Sequence, residues 1–101
     1  MDCNQVVLTG RIAEMDALRY TPAGLPLVAF RIGHVSEQIE AGFKRKVECE
    51  IPAIVMGDFA QAVSGWKTGD SIKAEGFLAR KSLHSQQLVL HLNRIELIEK
   101  G

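Results

Sequence analysis

The chain has 101 residues, 47% of them apolar and 24% charged, and its twelve basic and twelve acidic side chains cancel to a net charge of zero. That length suits one domain and is too short for two ordinary ones, so residues 1–101 are expected to form a single unit. The composition excludes a disordered chain and a membrane span of roughly 18 unbroken apolar residues, and the neutral balance excludes a binder working through bulk positive field.

Met1-Asp2-Cys3-Asn4 is acidic, with no basic stretch leading into an apolar one. It does not read as a secretion signal, and a cytoplasmic protein is expected. Gln5 to Ile12 then alternates, with Val6, Leu8, Gly10 and Ile12 on one face, the period of a half-buried strand. A turn-rich stretch, Pro22-Ala23-Gly24-Leu25-Pro26, precedes a second strand from Leu27 to His34 with Val28, Phe30 and Ile32 inward and Ala29, Arg31 and Gly33 outward. After Ala41-Gly42, the run Lys44 to Ile51 sets Val47, Cys49 and Ile51 against Lys44, Lys46, Glu48 and Glu50. Cys49 is accordingly expected as a small buried hydrophobe, and Cys3 as an exposed thiol. Asp58 is the expected N-cap of a short helix carrying Phe59, Ala62, Val63 and Trp66 at i, i+3, i+4 and i+7. A fourth strand, Ser71 to Arg80, places Ile72, Ala74, Gly76 and Leu78 on one side. The last, Leu88 to Ile98, starts with Leu88, Leu90 and Leu92 in phase and continues with Ile95 and Leu97 out of phase, which predicts a β-bulge near Asn93-Arg94.

Three strands, a short helix, then two strands is the order of an all-β, five-stranded Greek-key barrel of the oligonucleotide/oligosaccharide-binding (OB) type, with the helix between strands three and four. Interior Gly10, Gly33 and Gly76 suit its sharply coiled strands. An SH3-like barrel or a small open meander is the alternative.

Catalytic patterns are absent: there is no glycine-rich phosphate loop, no His-Glu-x-x-His and no Gly-x-Ser-x-Gly. His34, His84 and His91 do not fall at metal-ligand spacing, His91 reads as a solvated strand position, and neither an enzyme nor a cofactor is expected. Binding signals are better. Arg19-Tyr20 falls in the loop between strands one and two, Phe43-Lys44-Arg45-Lys46 at the tip of the loop between strands two and three, and Arg80-Lys81 with His84 in the loop between strands four and five. An OB barrel gathers such loops about one groove, where cations meet phosphates and rings stack on unpaired bases at about 1–3 kcal/mol each. Each element also has a structural reading. Lys44-Arg45-Lys46 serves equally as a soluble strand end, Phe43 as a cap on the barrel core and Tyr20 as packing on its own turn. Trp66 reads as structural, and Glu48 and Glu50 would weaken a positive field on their strand. A protein-interaction module and an RNA-binding OB module therefore stay open beside a binder of single-stranded DNA.

The chain resembles the family of primosomal replication protein N, PriB, over nearly its full length. The resemblance is carried by Val7-Leu8-Thr9-Gly10, Thr21-Pro22-Ala23-Gly24-Leu25-Pro26, Glu40-Ala41-Gly42-Phe43 with Arg45, Cys49 followed by Ile51-Pro52, Glu75-Gly76-Phe77-Leu78 and Ile95-Glu96-Leu97-Ile98. It implies a homodimer that binds single-stranded DNA without catalysis and joins the helicase PriA and other primosome proteins in replication restart. It further implies that Phe43, Arg45, Arg19, Arg80 and Lys81 take the places of the family's DNA-contacting aromatic and basic groups. Two departures stand out. Glu48 replaces the tryptophan of the best-known members, and the last loop is shortened to Ser82-Leu83-His84-Ser85 where relatives carry more lysine. Both lower the expected affinity for DNA and shift weight to the protein partner.

Overall fold

The alternating runs fold as strands and the helical pattern as a single helix. A computed structural model describes residues 2–101, in the order β1 (Val6–Met15), β2 (Arg19–Tyr20), β3 (Pro26–Glu40), β4 (Phe43–Met56), α1 (Asp58–Ser64), β5 (Ser71–Arg80) and β6 (Leu88–Glu99). Met1, which opens the N-terminal run read above, lies outside the described residues.

The sheet runs β1-β5-β6-β4-β3-β2 and closes because β1 pairs twice. Val6–Arg11 pair with β5, and Arg11–Met15 pair with β3. β4 and β6 meet in parallel over Ala53–Val55 and Leu90–Leu92. Closure turns one face of every long strand inward. Ile12, Val28, Phe30, Ile32, Ala53, Val55, Ile72, Ala74, Leu90, Leu92 and Ile95 form the core, with Ala60 and Val63 of α1 packed against it. Each fully buried Val, Leu, Ile or Phe contributes about 1.5–3 kcal/mol, so this closed end carries most of the stability.

Two glycines are required by the tight coiling. A Cβ at Gly10 would strike the backbone of Gly33, and one at Gly76 the carbonyl of His91. Gly33 itself has ordinary room for a side chain. The phase change in the last strand is a bulge: Glu75 pairs with Arg94 and Gly76 with Leu92, so Asn93 is the extra residue.

β3 and β4 are longer than their apolar patterns. They pair without interruption from Leu27↔Met56 to Glu40↔Phe43, around a two-residue turn in which Ala41 (φ 52°) and Gly42 (φ 84°) both take positive φ. β1 leaves β3 at Arg11↔Gly33, and β6 leaves β4 at Ala53↔Leu90. Beyond those points the hairpin is a free two-stranded ribbon. At the fork, the His34 ring bonds Thr9 O through Nδ1 (2.6 Å) and Ser36 Oγ through Nε2 (2.8 Å), so the side chain takes over where the β1–β3 ladder ends.

Several expectations change as a result. The strand count is six, because Arg19-Tyr20 form the two-residue β2 against Leu27 and Pro26; the helix therefore lies between β4 and β5. Cys49 is exposed, since its inward phase points away from a ribbon with no core beneath it. Asp58 is the first helical residue. The N-cap is Gly57 (φ 87°), without a side-chain cap, and Asp58 instead places its charge in the first turn. The helix buries Ala60 and Val63 and leaves Phe59 and Ala62 exposed, while Trp66 packs half-buried just past its end. The buried stripe of this seven-residue helix is therefore Ala60 and Val63, not the expected Phe59, Ala62, Val63 and Trp66.

Asp70 is the buried polar residue of the core region. Its carboxylate accepts from the N–H of Gly101 and of Lys67, both at 2.9 Å, and its backbone N–H donates to Lys67 O. The Gly101 bond first and the Lys67 bond second hold its pKa below the usual carboxylate range.

Candidate nucleic-acid interface

Because direct partners in a ladder share a face, the register decides which outward side chains meet. Ala29 pairs with Ile54, Arg31 with Pro52, and Ile54 in turn with His91 of β6. These outward groups floor a trough of about 760 Å³ across β3, β4 and β6. One rim is built by Glu14 of β1, Asp16 just beyond its end and Arg19 of β2, and the other by Lys81 and Gln87 from the loop after β5.

Two basic groups expected at a shared groove, Arg19 and Lys81, therefore do line one trough, although 62 positions separate them in the chain. Neither makes an ion pair among the described residues. Arg80, at the end of β5, and His84, in the following loop, are exposed outside the lining. Tyr20 is exposed at 61% beside a turn closed by Thr21, so its ring stands clear of the core.

Phe43-Lys44-Arg45-Lys46 does not join this group. The residues begin β4 at the ribbon tip, on a strand rather than in a loop, six to nine positions and roughly 20–30 Å of strand from Pro52 in the trough. The ribbon also splits them. Lys44 and Lys46 pair with Ile39 and Glu37, on the face that continues from Arg31, whereas Phe43 and Arg45 pair with Glu40 and Gln38 on the opposite face. Each cation has an acidic neighbour: Lys44 Nζ lies 3.8 Å from Glu37, Arg45 2.7 Å from Glu40 and Lys46 2.9 Å from Glu48. Phe43 is exposed at 77% and so does not cap the core.

Two residues of the trough, and one beside it, escaped the sequence reading. Arg31 sits on its floor, its Nε 2.7 Å from Glu50. His91 is half-buried rather than solvated, and its ring stacks on Phe77 of β5, with centroids 5.3 Å apart and planes 6° from parallel. The outward phase of Arg31 on a strand of the OB ligand face was the available signal. The His91–Phe77 pair had none, because it depends on the register between β5 and β6. Among the described residues, no three His, Cys, Asp or Glu side chains gather as a metal site.

A family model described as a single-strand binding protein family matches residues 4–94. The replication restart protein PriB of Nitrosomonas europaea is 39% identical over 95 residues, covering 94% of this chain and 88% of the relative. The chain belongs to the PriB family of replication restart proteins. PriB of Erwinia tasmaniensis is 35% identical, covering 100% of this chain and 99% of the relative. The solved PriB of Ralstonia solanacearum superposes with a TM-score of 0.87 at 33% identity, over 95% of this chain and 98% of that one. A single-stranded DNA binding protein from Thermus aquaticus shares the fold, with a TM-score of 0.76 at 24% identity over 96% of this chain and 51% of that one.

Proposed function

We propose that the protein is a single-stranded DNA-binding accessory factor of the replication-restart primosome, acting as a cytoplasmic homodimer that holds the helicase PriA on DNA. The observation that carries this is the trough: Arg19 and Lys81 line it from opposite rims and make no ion pair among the described residues, on the barrel face where OB folds take ligands. Phosphates neutralised at the rims would run the strand across β3 and β4 with its bases toward the floor. Tyr20, Phe43, Lys44, Arg45, Lys46, Arg80 and His84 are assigned to an extended path beyond the trough, in which the exposed rings of Tyr20 and Phe43 offer stacking surfaces.

A second reading, a protein-interaction adaptor that touches DNA only weakly, is favoured by the ribbon, whose three cations all have acidic neighbours. Anisotropy of labelled single-stranded and duplex oligonucleotides over a salt series separates the two. The DNA reading predicts preference for the single strand and a log–log salt slope of about −0.7 per phosphate contacted. Equal, salt-insensitive binding of both forms supports the adaptor. Nanomolar affinity at low salt would instead overturn the weakened binding expected from Glu48 and the short loop. Retention of PriA on a forked substrate, measured with and without this protein, tests the partner.

A further inference from the structure

The rims of the trough and its floor differ in chemistry. Among the described residues, Glu14 and Asp16 have no cationic partner, and both stand beside Arg19 at the rim. Two free carboxylates weaken the field of Arg19 and disfavour a phosphate sunk into the trough, so a phosphate held by Arg19 stays at its solvent edge. The floor offers the apolar surface of Ala29, Pro52 and Ile54, one guanidinium and one aromatic ring. That guanidinium is already positioned. Arg31 donates Nε to Glu50 at 2.7 Å, which orients the guanidinium and leaves its two Nη groups to donate. The ring is backed. His91 lines the trough and Phe77 does not, and Phe77 stacks on one face of the imidazole. A flat ring held rigid from behind is a stacking platform that loses little freedom when a second flat group settles on it.

We infer that the trough floor is a seat for one unpaired nucleobase, stacked on the Phe77-backed ring of His91 and hydrogen-bonded by the Glu50-held guanidinium of Arg31. This rests on the single-strand reading above and adds residues to it. The strand's phosphates stay at the rims with Arg19 and Lys81, while one base turns inward. The volume of about 760 Å³ falls within the range of roughly 300–1,000 Å³ usual for small-molecule sites, ample for a base with its sugar.

The experiment compares short single-stranded oligonucleotides, intact and with one abasic position moved along the sequence, against the wild type, His91→Leu, His91→Phe and Arg31→Gln. Leucine keeps apolar bulk on the strand, and phenylalanine keeps a flat ring against Phe77, so folding and stacking are separated; thermal melts verify each variant. The wild type should lose about 5- to 150-fold in affinity at one abasic position, the range for a stacked base. His91→Leu should show a similar loss with intact DNA and no further penalty at that position, and His91→Phe should restore both. Arg31→Gln should weaken binding while keeping the abasic penalty. If the wild type prefers single strands yet folded His91→Leu binds intact DNA as tightly, the base seat is wrong and the single-strand reading stands. If the wild type shows no preference for single strands, the underlying reading fails first.

Discussion

The same two strands, β3 and β4, build two unlike regions. At the barrel end Val28, Phe30, Ile32, Ala53 and Val55 are buried and the outward side chains floor the trough. At the ribbon end no residue from Ser36 to Lys46 is buried, and the ladder is held by backbone bonds and paired charges. Burial contributes about 1.5–3 kcal/mol per large apolar residue, whereas exposed ion pairs contribute roughly 0–1 kcal/mol. The barrel therefore sets whether the chain folds, and the ribbon can vary at little cost. The charges divide the other way. The ribbon's cations are ion-paired, whereas Arg19 and Lys81 at the trough rims make no ion pair among the described residues, although Glu14 and Asp16 share the rim of Arg19.

The sharpest way to break this contrast is to cut one isoleucine at each end. Ile32→Ala, at a fully buried position, should lower unfolding free energy by about 2–5 kcal/mol, and Ile39→Ala, on the ribbon, by no more than about 0.5 kcal/mol. Urea denaturation reads both, and equal losses would dissolve the distinction. Next in size is Gly76→Ala, where a Cβ meets the His91 backbone; overpacking of this kind costs about 1–3 kcal/mol, and a thermal melt that does not move would show that β5 and β6 can part.

How far this division could be read from the sequence follows from burial. The barrel halves of the strands were legible because one face is buried and period two survives; the phase change from Leu92 to Ile95 even located the bulge at Asn93. The ribbon was not, since a strand exposed on both faces leaves no alternation. Cys49 continued the phase of Ile51 and looked inward, although the barrel ends between them. The ion pairs were equally hidden: Lys44 meets Glu37 and Arg45 meets Glu40 only through a register that the Ala41-Gly42 turn fixes. β2 is two residues long, too short for any period.

A smaller effect concerns the ribbon tip. Lys44→Ala with Arg45→Ala should change stability by less than about 1 kcal/mol, because both ion pairs are exposed, and should weaken single-strand binding by freeing Glu37 and Glu40. Phe43→Ala should likewise leave the melting temperature unchanged while costing a stacking contact; a large fall would place the ring in a core that the structure does not show.

The subtlest prediction is a pH limb. Asp70 titrates lower in the folded chain than in the unfolded one, so its contribution is complete above the ordinary carboxylate pKa and is lost as pH falls through the lower folded value. Asp70→Asn should therefore melt lower at neutral pH and show a shallower acid decline. A parallel decline in both proteins would remove Asp70 from the acid response.

The decisive comparison is the salt dependence of single-stranded DNA binding in the wild type, in Arg19→Ala with Lys81→Ala, and in the ribbon pair Lys44→Ala with Arg45→Ala. The trough pair should flatten the log–log slope by about 1.4, two phosphate contacts at about 0.7 each, and lose more affinity than the ribbon pair. An unchanged slope in the trough pair, or a larger loss in the ribbon pair, would contradict the assignment of DNA to the trough.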